Sequence, residues 1–344
     1  MKYTLHPQPF YPYETIAILM AITNKDSIKK ERERVIERRG QRYKAAITAY
    51  FKDHIALENY VAKNIPQTET TQFLFERVTE GDSCLAHIFV DYHLLKGKNK
   101  GYAILESFNE ENPVFGDEIN IVETPTSAEF FTHLDKLSIP DTAKLATLRL
   151  YHNFDYYHSC FNDLVAQVTA LIQEKFPMEK IPRLVDYLDT QLQAKGMGFF
   201  KDAVGVAFDN TSTYNIYPSV VYPHSLSAHG TTSLAPNIMI SLHIFDMAEK
   251  LKMMESSAEK TEELLRILSD PTKLAILKLL KNGPMYSAQI AEVLNCTTAN
   301  VSHHISPLVS QEVVTVQKQG TRLYLHLNRD TLLDQLEGTK ELFL

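Results

Sequence analysis

The chain has 344 residues, of which 44% are hydrophobic and 22% charged, as is usual for a soluble globular protein. This composition excludes a mostly disordered chain, and the length suggests about two domains, each able to bury a core without disulfides or a structural metal. The net charge of −7 argues at first sight against a nucleic-acid binder, which usually carries a basic surface. Only 12 glycines occur, which favours helices over a turn-rich all-β architecture.

The N-terminus and the cysteines indicate a cytoplasmic protein. Cys84, Cys160 and Cys296 are far apart and form no CxxC pair, as is typical of a reducing compartment. The segment MKYTLHPQPFYPYE has prolines where a signal peptide needs its apolar run. The strongest early apolar run, Ile16 to Ile22, is far shorter than the ~20 residues that span a bilayer. We therefore expect no membrane segment.

The first 250 residues are predicted to be mainly helical with a few short strands. A strand is expected at 2–5, and helices at 14–22, 26–44, 45–63, 71–78, 84–95, 127–137, 141–150, 154–176 and 178–192. The glycines and prolines of 96–124 predict loops. After Gly196, the segments AVGVAFD, TYNIYPSV and PNIMISLHI are rich in β-branched and aromatic residues, which predicts strands. The stretch 225–236 is predicted to be a loop.

Residues 251–284 contain several residues that typically start or end helices. A polar stretch at 251–260 is interpreted as a linker, although it could also begin a helix, and apolar spacing predicts a helix over 261–268. Asp270 followed by Pro271 is a strong start for a second helix, because the carboxylate caps it and proline suits its first position. An Asn-Gly-Pro sequence ends that helix.

Two further helices and a hairpin follow at close spacing. A short helix is expected at 287–294, and Thr297 is a good N-cap for a longer helix over 298–310. Apolar residues occupy one side of the longer helix and Thr, Asn, Ser and His the other. VVTVQ, a KQG turn and TRLYLHL predict a β-hairpin. The whole pattern predicts a winged helix-turn-helix of the α+β class at 261–329.

This stretch resembles the winged helix-turn-helix of the ArsR family of bacterial transcription regulators. LSDPTKLAILKLL is similar to that family's opening helices, SAQIAEVLNCTTANVSHHISPL to its helix-turn-helix, and GTRLYLHL to its wing. Two departures stand out: Pro307 lies inside the recognition helix, and Gln311-Glu312 replaces the usual Ala-Gly, so the turn before the wing is expected to differ. The first 250 residues are only loosely similar to N-terminal regions of unknown function in other large regulators of this type.

The resemblance implies that the fourth helix enters the major groove and that the hairpin contacts phosphates or the minor groove. The expected DNA-binding residues are Thr297, Thr298, Asn300, Ser302 and His303 around the helix, with Lys318 and Arg322 on the hairpin. Asn300 can form paired hydrogen bonds with adenine, and His304 is expected to pack inward. For each polar residue the alternative is an ordinary solvated position.

One winged helix contacts only a half-site, so specific recognition implies a homodimer on a pseudo-palindromic double-stranded operator. The resemblance implies that the first and last helices of the module, 262–268 and 331–344, form the dimer interface. The apolar side of the last helix is formed by Leu332, Leu333, Leu336, Leu342 and Phe343. Packing of this tail (330–344) on the chain's own N-terminal domain is the alternative.

The sequence as a whole therefore predicts a dimeric, sequence-specific transcription regulator. We expect a repressor that is controlled through its N-terminal domain, residues 1–250, by an unidentified effector, for which a small molecule is a candidate. This domain is interpreted as the sensor, the oligomerisation body, or both. The alternative is an enzyme or small-molecule-binding protein whose winged helix mediates protein–protein contact. The sequence contains no GxGxxG, GxxxxGK[ST], GxSxG or HExxH motif, so no enzyme activity is predicted.

No cofactor and no regulatory metal are predicted. The thiolate pair that metal-sensing relatives carry before the recognition helix is absent, because SAQIAEVLNC holds only Cys296, and the tail has no histidine. His152, His158 and Cys160 could form a partial site, but their spacing is not a recurring ligand pattern. The aromatic residues of 151–161 could line a small-molecule pocket, although such a stripe is more often core.

Charge is distributed unevenly along the chain. Residues 29–44 hold eight Lys or Arg at spacings from glutamates that favour a solvated helix with ion pairs; a second contact to DNA is the alternative. Residues 270–329 carry 6 basic and 3 acidic groups, net +3. Residues 1–254 carry net −5, and the two segments 255–269 and 330–344 together carry a further −5. DNA affinity is therefore expected to be modest and salt-sensitive.

Overall fold

The computed structural model describes residues 2–39, 44–78, 83–97, 99–109, 123–137, 139–208, 212–221, 226–229, 235–254, 257–319 and 322–341. None of the helices in these ranges is long and apolar enough to cross a membrane. Backbone contacts divide the chain into two compact units. We call Lys2–Asp189 with Thr213–Ile244 the N-terminal unit, and Thr190–Ser212 with Phe245–Leu344 the C-terminal unit. The division proposed at residue 250 places 190–212 in the first domain, whereas these contacts group it with the C-terminal unit.

Helices form most of the described chain, which confirms the prediction of a mainly α protein with minor β structure. In chain order they are α1 (Tyr11–Thr23), α2 (Lys25–Arg39), α3 (Lys44–Asn64), α4 (Glu69–Phe75), α5 (His87–Leu94), α6 (Lys100–Asn109), α7 (Ser127–Lys136), α8 (Asp141–His152), α9 (Phe154–Lys175), α10 (Lys180–Lys195), α11 (Gly198–Val204), α12 (Ile244–Met254), α13 (Ser257–Leu268), α14 (Pro271–Leu280), α15 (Ser287–Leu294), α16 (Thr298–Ser310) and α17 (Arg329–Glu341).

The described strands form two sheets, one in each unit. In chain order the strands are β1 (Lys2–Leu5), β2 (Val206–Phe208), β3 (Thr213–Ser219), β4 (Leu226–His229), β5 (Asn237–Ser241), β6 (Met285–Tyr286), β7 (Val314–Gln319) and β8 (Arg322–Leu327). The sheet of the N-terminal unit has the order β1-β3-β5-β4, with β4 alone antiparallel to its neighbour. Every residue of β5 is buried, as suits a strand in the middle of a sheet that is covered on both faces.

The helix α6 corrects the prediction of loops over 96–124 for residues 100–109, while residues 98 and 110–122 lie outside the described part of the chain. Asn99 caps this helix, because its side-chain oxygen accepts hydrogen bonds from the amides of Gly101 and Tyr102 at 2.8 and 3.3 Å. Gly101 packs against Phe130, since an added Cβ would lie 3.3 Å from the ring of that residue. The glycine therefore permits close packing inside a helix instead of ending one.

The strand β4 corrects the prediction of a loop over 225–236 at residues 226–229, while residues 225 and 230–234 lie outside the described part of the chain. It pairs antiparallel with β5, with Ala228 opposite Ile238, and lies at the edge of the sheet. A four-residue edge strand owes its conformation to its neighbour, which local sequence does not reveal. In the stretch 251–260, interpreted as a linker or a helix start, the described backbone is helical at both ends, where α12 ends and α13 begins.

The aromatic run in α9 forms part of the core of the N-terminal unit. Phe154, Tyr157 and Phe161 are buried, and the ring of Phe161 stacks on Phe89 with centroids 5.4 Å apart. Tyr156 is exposed. The stripe is therefore a packing surface, the alternative that the sequence favoured over a pocket.

Glu14 and Asp91 are two of the buried carboxyl groups in the N-terminal unit. Glu14 in α1 accepts hydrogen bonds from the amides of Val220 and Val221 at 3.1 and 2.8 Å, which ties the helix to the end of β3. Burial raises the pKa of Glu14 to about 7. Asp91 in α5 accepts a hydrogen bond from the Ser107 hydroxyl, and burial raises its pKa to about 7 as well. Both acids are therefore partly protonated near neutral pH.

Candidate nucleic-acid interface

The helix pair α15 and α16 is shaped by its caps. α15 ends at Asn295, whose φ of 51° is left-handed, a conformation that asparagine tolerates. The Cys296 amide then donates to the Ala291 carbonyl at 3.0 Å. Thr297 begins α16, because its hydroxyl oxygen accepts the Asn300 amide at 3.2 Å. The predicted cap is thus present, and the two helices are joined by a turn of three residues.

One side of α16 holds the helix against the module, and the opposite side is open to solvent. Val301, Ile305 and Leu308 are buried in the core of the C-terminal unit. The polar residues singled out by the sequence are all exposed on this helix and its cap: Thr297, Thr298, Asn300, Ser302 and His303. Five of the seven predicted contact residues are thus exposed on α16 or at its N-cap. Pro307 does not end the helix, which continues to Ser310.

The hairpin of β7 and β8 forms the predicted wing. Gln319 pairs with Arg322 nearest the tip, and Lys318 pairs with Leu323 one step further in. The backbones of Lys318 and Arg322 are thus placed in the two wing strands, while their side chains lie outside the part of the structure that is described. Leu323 is exposed.

An ionic cluster that sequence reasoning missed connects α16 to α14. Asp270 caps α14 through the amides of Thr272 and Lys273, and its second oxygen lies 3.0 Å from the Lys273 ammonium. The same oxygen lies 3.7 Å from the ring nitrogen Nδ1 of His304. Burial favours a higher pKa for Asp270, but the hydrogen bonds and charge of Lys273 outweigh it and hold the pKa below its ordinary value. His304 is mostly buried, so it faces inward while its neighbour His303 faces solvent.

Known proteins resemble this region of the chain. Residues 270–316 match the family described as "Bacterial regulatory protein, arsR family". The transcriptional repressor SdpR of Bacillus subtilis is 37% identical over 73 residues, which are 21% of this chain and 81% of that protein. The arsenical resistance operon repressor of Staphylococcus xylosus is 34% identical over 76 residues, 22% of this chain and 73% of that protein. The chain belongs to the ArsR family.

The residues that match the family model lie in the C-terminal unit. A crystal structure of NolR from Sinorhizobium fredii aligns with 28% of this chain and 91% of that chain, at 23% identity and a TM-score of 0.22. So low a TM-score adds nothing to the assignment. The ArsR-family match ends at residue 316, within β7.

The departure from the ArsR pattern at Gln311-Glu312 has a visible consequence. Glu312 adopts a φ of 58°, the left-handed conformation that a glycine would adopt without strain. The turn itself is closed, since the Val313 amide donates to the Leu308 carbonyl at 3.1 Å. Gln335 of α17 donates to the Gln311 carbonyl at 2.9 Å, which ties the last helix to the end of the recognition helix.

Of the residues considered for a metal site, His152, His158 and Cys160 belong to the N-terminal unit, and Cys296 lies in the turn before α16. In the described ranges, no three His, Cys, Asp or Glu side chains are grouped as a metal ion would need. The ring of His158 stacks on Phe89 with centroids 5.5 Å apart, and Cys160 is a half-buried free thiol. Cys296 is likewise free and half-buried.

The basic helix α2 is held to α3 by an ion pair. Arg32 forms a two-pronged contact with Glu58, which also lies 3.0 Å from His54. Burial favours a higher pKa for Glu58, but these two partners outweigh it and hold the pKa below its ordinary value. This contact is of the kind expected for an ion-paired helix; the side chains of Arg38 and Arg39 lie outside the described ones.

Proposed function

We propose that this ArsR-family protein is a sequence-specific DNA-binding transcription regulator that acts as a dimeric repressor. The observation that carries the proposal is the exposed polar face of α16. Five side chains able to contact DNA stand on a helix whose other face is fixed in the core, which is the arrangement that major-groove readout needs. The relatives whose names describe a function are transcriptional repressors, which supports the same role here.

The roles of individual residues follow from their positions. Asn300 and His303 would contact base edges, and Thr298 and Ser302 would contact bases or the adjoining backbone. The Thr297 hydroxyl oxygen accepts the capping hydrogen bond from the Asn300 amide. Its hydroxyl hydrogen remains able to donate to a phosphate at the helix N-terminus. Lys318 and Arg322 on the wing would contact phosphates or the minor groove.

A second copy of the chain is proposed to cover the outer faces of α13 and α17. The two helices pack on each other within the C-terminal unit. Leu265 of α13 and Leu333 and Leu336 of α17 remain 44%, 54% and 38% exposed. Nearby charges are partly neutralised within the helices by the pairs Arg266–Glu263 and Lys340–Glu337, at 2.6 and 2.7 Å. An apolar centre with locally paired charges suits a self-complementary interface.

The N-terminal unit is proposed to control DNA affinity in response to a small-molecule effector. An ArsR-type DNA-binding module needs only a small part of this chain, because the relatives are short proteins whose matched residues make up most of their length. The remaining residues build a separate core and sheet, which supports a role other than DNA contact. We propose no enzymatic activity for this unit.

The proposal is tested by selecting duplexes from random DNA with the wild-type chain and measuring the affinity of Asn300→Ala/His303→Ala for the selected duplex. Each lost base contact costs about 1–3 kcal/mol, so the double variant should bind at least about 30-fold more weakly. His152→Ala, which removes an exposed imidazole in the N-terminal unit, is the matched control and should bind as wild type. Normal binding by the double variant would refute the proposed role of α16 in DNA recognition.

A further inference from the structure

The wing sheet contains a strand from outside the helix-turn-helix module. β2 runs parallel to β7, with Val206 opposite Val316, Ala207 opposite Gln317 and Phe208 opposite Lys318, so the sheet has the order β2-β7-β8-β6. Without β2, the strand β7 would be an edge strand with one row of unpaired backbone groups. The strand that carries Lys318 is instead paired along both of its sides.

The turn that leads into β2 fixes its direction. α11 ends at Gly205, whose φ of 74° is left-handed, and the Gly205 amide donates to the Lys201 carbonyl at 3.0 Å. β2 begins at the next residue, so no flexible loop separates helix from strand. Glycine adopts this conformation without strain, and the turn therefore makes α11 and β2 a single element.

A cluster of phenylalanines anchors this element inside the C-terminal unit. Phe208 of β2 packs edge-on against Phe200 of α11, with ring centroids 5.3 Å apart. Phe199 and Phe200 in turn contact Phe245 at the start of α12, at 5.1 and 6.4 Å. Phe199, Phe200 and Phe208 are all buried. β2 is therefore held by the packing of Phe208 against Phe200 as well as by its pairing with β7.

The charge of a residue in α11 also acts on the second wing strand. His326 of β8 has a pKa below its ordinary value because of its burial and because of the positive charge of Lys201 in α11. His326 pairs with Thr315 of β7 in the hairpin. The segment α11–β2 thus contacts β7 through β2, and its Lys201 acts electrostatically on β8.

We propose that residues 198–208 form a wing-positioning segment, in which the pairing of β2 with β7 holds Lys318 and Arg322 where they reach the DNA backbone. This inference rests on the proposed function. The segment lies outside the residues that match the ArsR family, so it is a property of this longer chain. Release of β2 weakens the wing's phosphate contacts and leaves base recognition by α16 intact.

The test compares Ala207→Pro with Ala207→Val in the full-length chain. Proline fixes φ at about −65°, away from the value of roughly −120° typical of a parallel strand, so it disturbs the pairing of this three-residue strand, whereas valine favours a strand. On the duplex selected by wild type, Ala207→Pro should bind about tenfold more weakly. The slope of log affinity against log salt should fall by about one per wing. Discrimination against a mutated half-site should be unchanged.

A mutant cycle separates wing positioning from general damage to the fold. In the background Lys318→Ala/Arg322→Ala, the proline should add no further loss, because the contacts it weakens are already absent. An additive loss, or equal affinity and salt slope for Ala207→Pro and Ala207→Val, would overturn the inference. If Asn300→Ala/His303→Ala still weakens binding in that case, DNA recognition by α16 remains supported while the wing-positioning role is refuted.

Hydrogen exchange on the wild-type chain provides a measurement that does not depend on the folding of the proline variant. The amides of β7 should be protected to the same degree as those of β8, because both strands are paired on two sides. Fast exchange of the β2 amides together with the β7 amides that face β2, with β8 still protected, would contradict the proposal.

Discussion

At the scale of single residues, Glu312 carries the clearest local strain near the interface. Its φ of 58° lies in the left-handed region, which costs a non-glycine residue roughly 1 kcal/mol. The surrounding contacts still close the turn, with the Glu312 amide donating to the Val309 carbonyl at 2.9 Å. Packing of the recognition helix and the wing therefore imposes a conformation that this residue type does not favour.

Replacing this residue with glycine should relieve the strain. Glu312→Gly is expected to raise the free energy of unfolding of the C-terminal unit by about 1 kcal/mol relative to Glu312→Ala, which removes the same side chain and keeps the strain. Urea denaturation of the two variants measures the difference. If glycine is no more stable than alanine, the left-handed turn is not strained.

At the scale of elements, helix ends follow local sequence while some elements depend on their neighbours. Asp270 and Thr297 cap their helices as their side chains predict. The helix α6 depends on a cap by Asn99 and on the space that Gly101 leaves for Phe130, and β4 exists only because β5 offers it a partner. A glycine or a short polar run thus carries little information until its neighbours are known.

The last helix offers a test of the proposed dimer. Leu333→Glu places a charge in the centre of the apolar face of α17, so the dimer should dissociate at least tenfold more readily and DNA affinity should fall with it. Leu145→Glu, at an exposed leucine of α8, is the matched control. Analytical ultracentrifugation measures the association. A wild-type monomer at micromolar concentration, or an unchanged dimer in Leu333→Glu, would refute this interface.

At the scale of the whole molecule, buried acids make stability depend on pH. Glu14 and Asp91 have folded pKa values of about 7, well above their ordinary values near 4, so the folded state holds more protons than the unfolded state in between. Their contribution to stability therefore falls as pH rises from about 5 and is lost above about 8. Burial lowers the pKa of His87 to about 4, so below pH 6.5 the unfolded state holds more protons on this residue than the folded state does. The contribution of His87 to stability therefore rises with pH, opposite to that of the two acids, and only below pH 6.5.

Between pH 6 and pH 8, Glu14 and Asp91 should therefore contribute more than His87 to the pH dependence of stability. Each should lower the free energy of unfolding of the N-terminal unit by on the order of 1 kcal/mol over this interval. Glu14→Gln removes one titrating group and should reduce the fall by about half, whereas Glu179→Gln, at an exposed position, should leave it unchanged. Urea denaturation at both pH values measures the effect, and equal pH dependence in Glu14→Gln and wild type would exclude a buried neutral Glu14.

The sequence alone determined the DNA-reading module. Caps, apolar spacing and turn residues are local signals, and in the region 261–329 they agree with one another and with the ArsR resemblance. The position of each polar residue on α16 follows from helical periodicity once Val301, Ile305 and Leu308 are placed inward. The mainly helical character of the first 250 residues was predictable for the same reason.

Only the tertiary structure decided which distant segments meet. The pairing of β2 with the wing, the contact of Asp270 with His304 and the burial of Glu14 against Val220 and Val221 join residues far apart in the chain. No local pattern specifies these partners, because a strand presents the same backbone groups to any neighbour and a carboxylate accepts from any amide. The DNA-binding module could thus be inferred from sequence, and so could the strand character of β2, whereas the pairing of β2 with β7 could not.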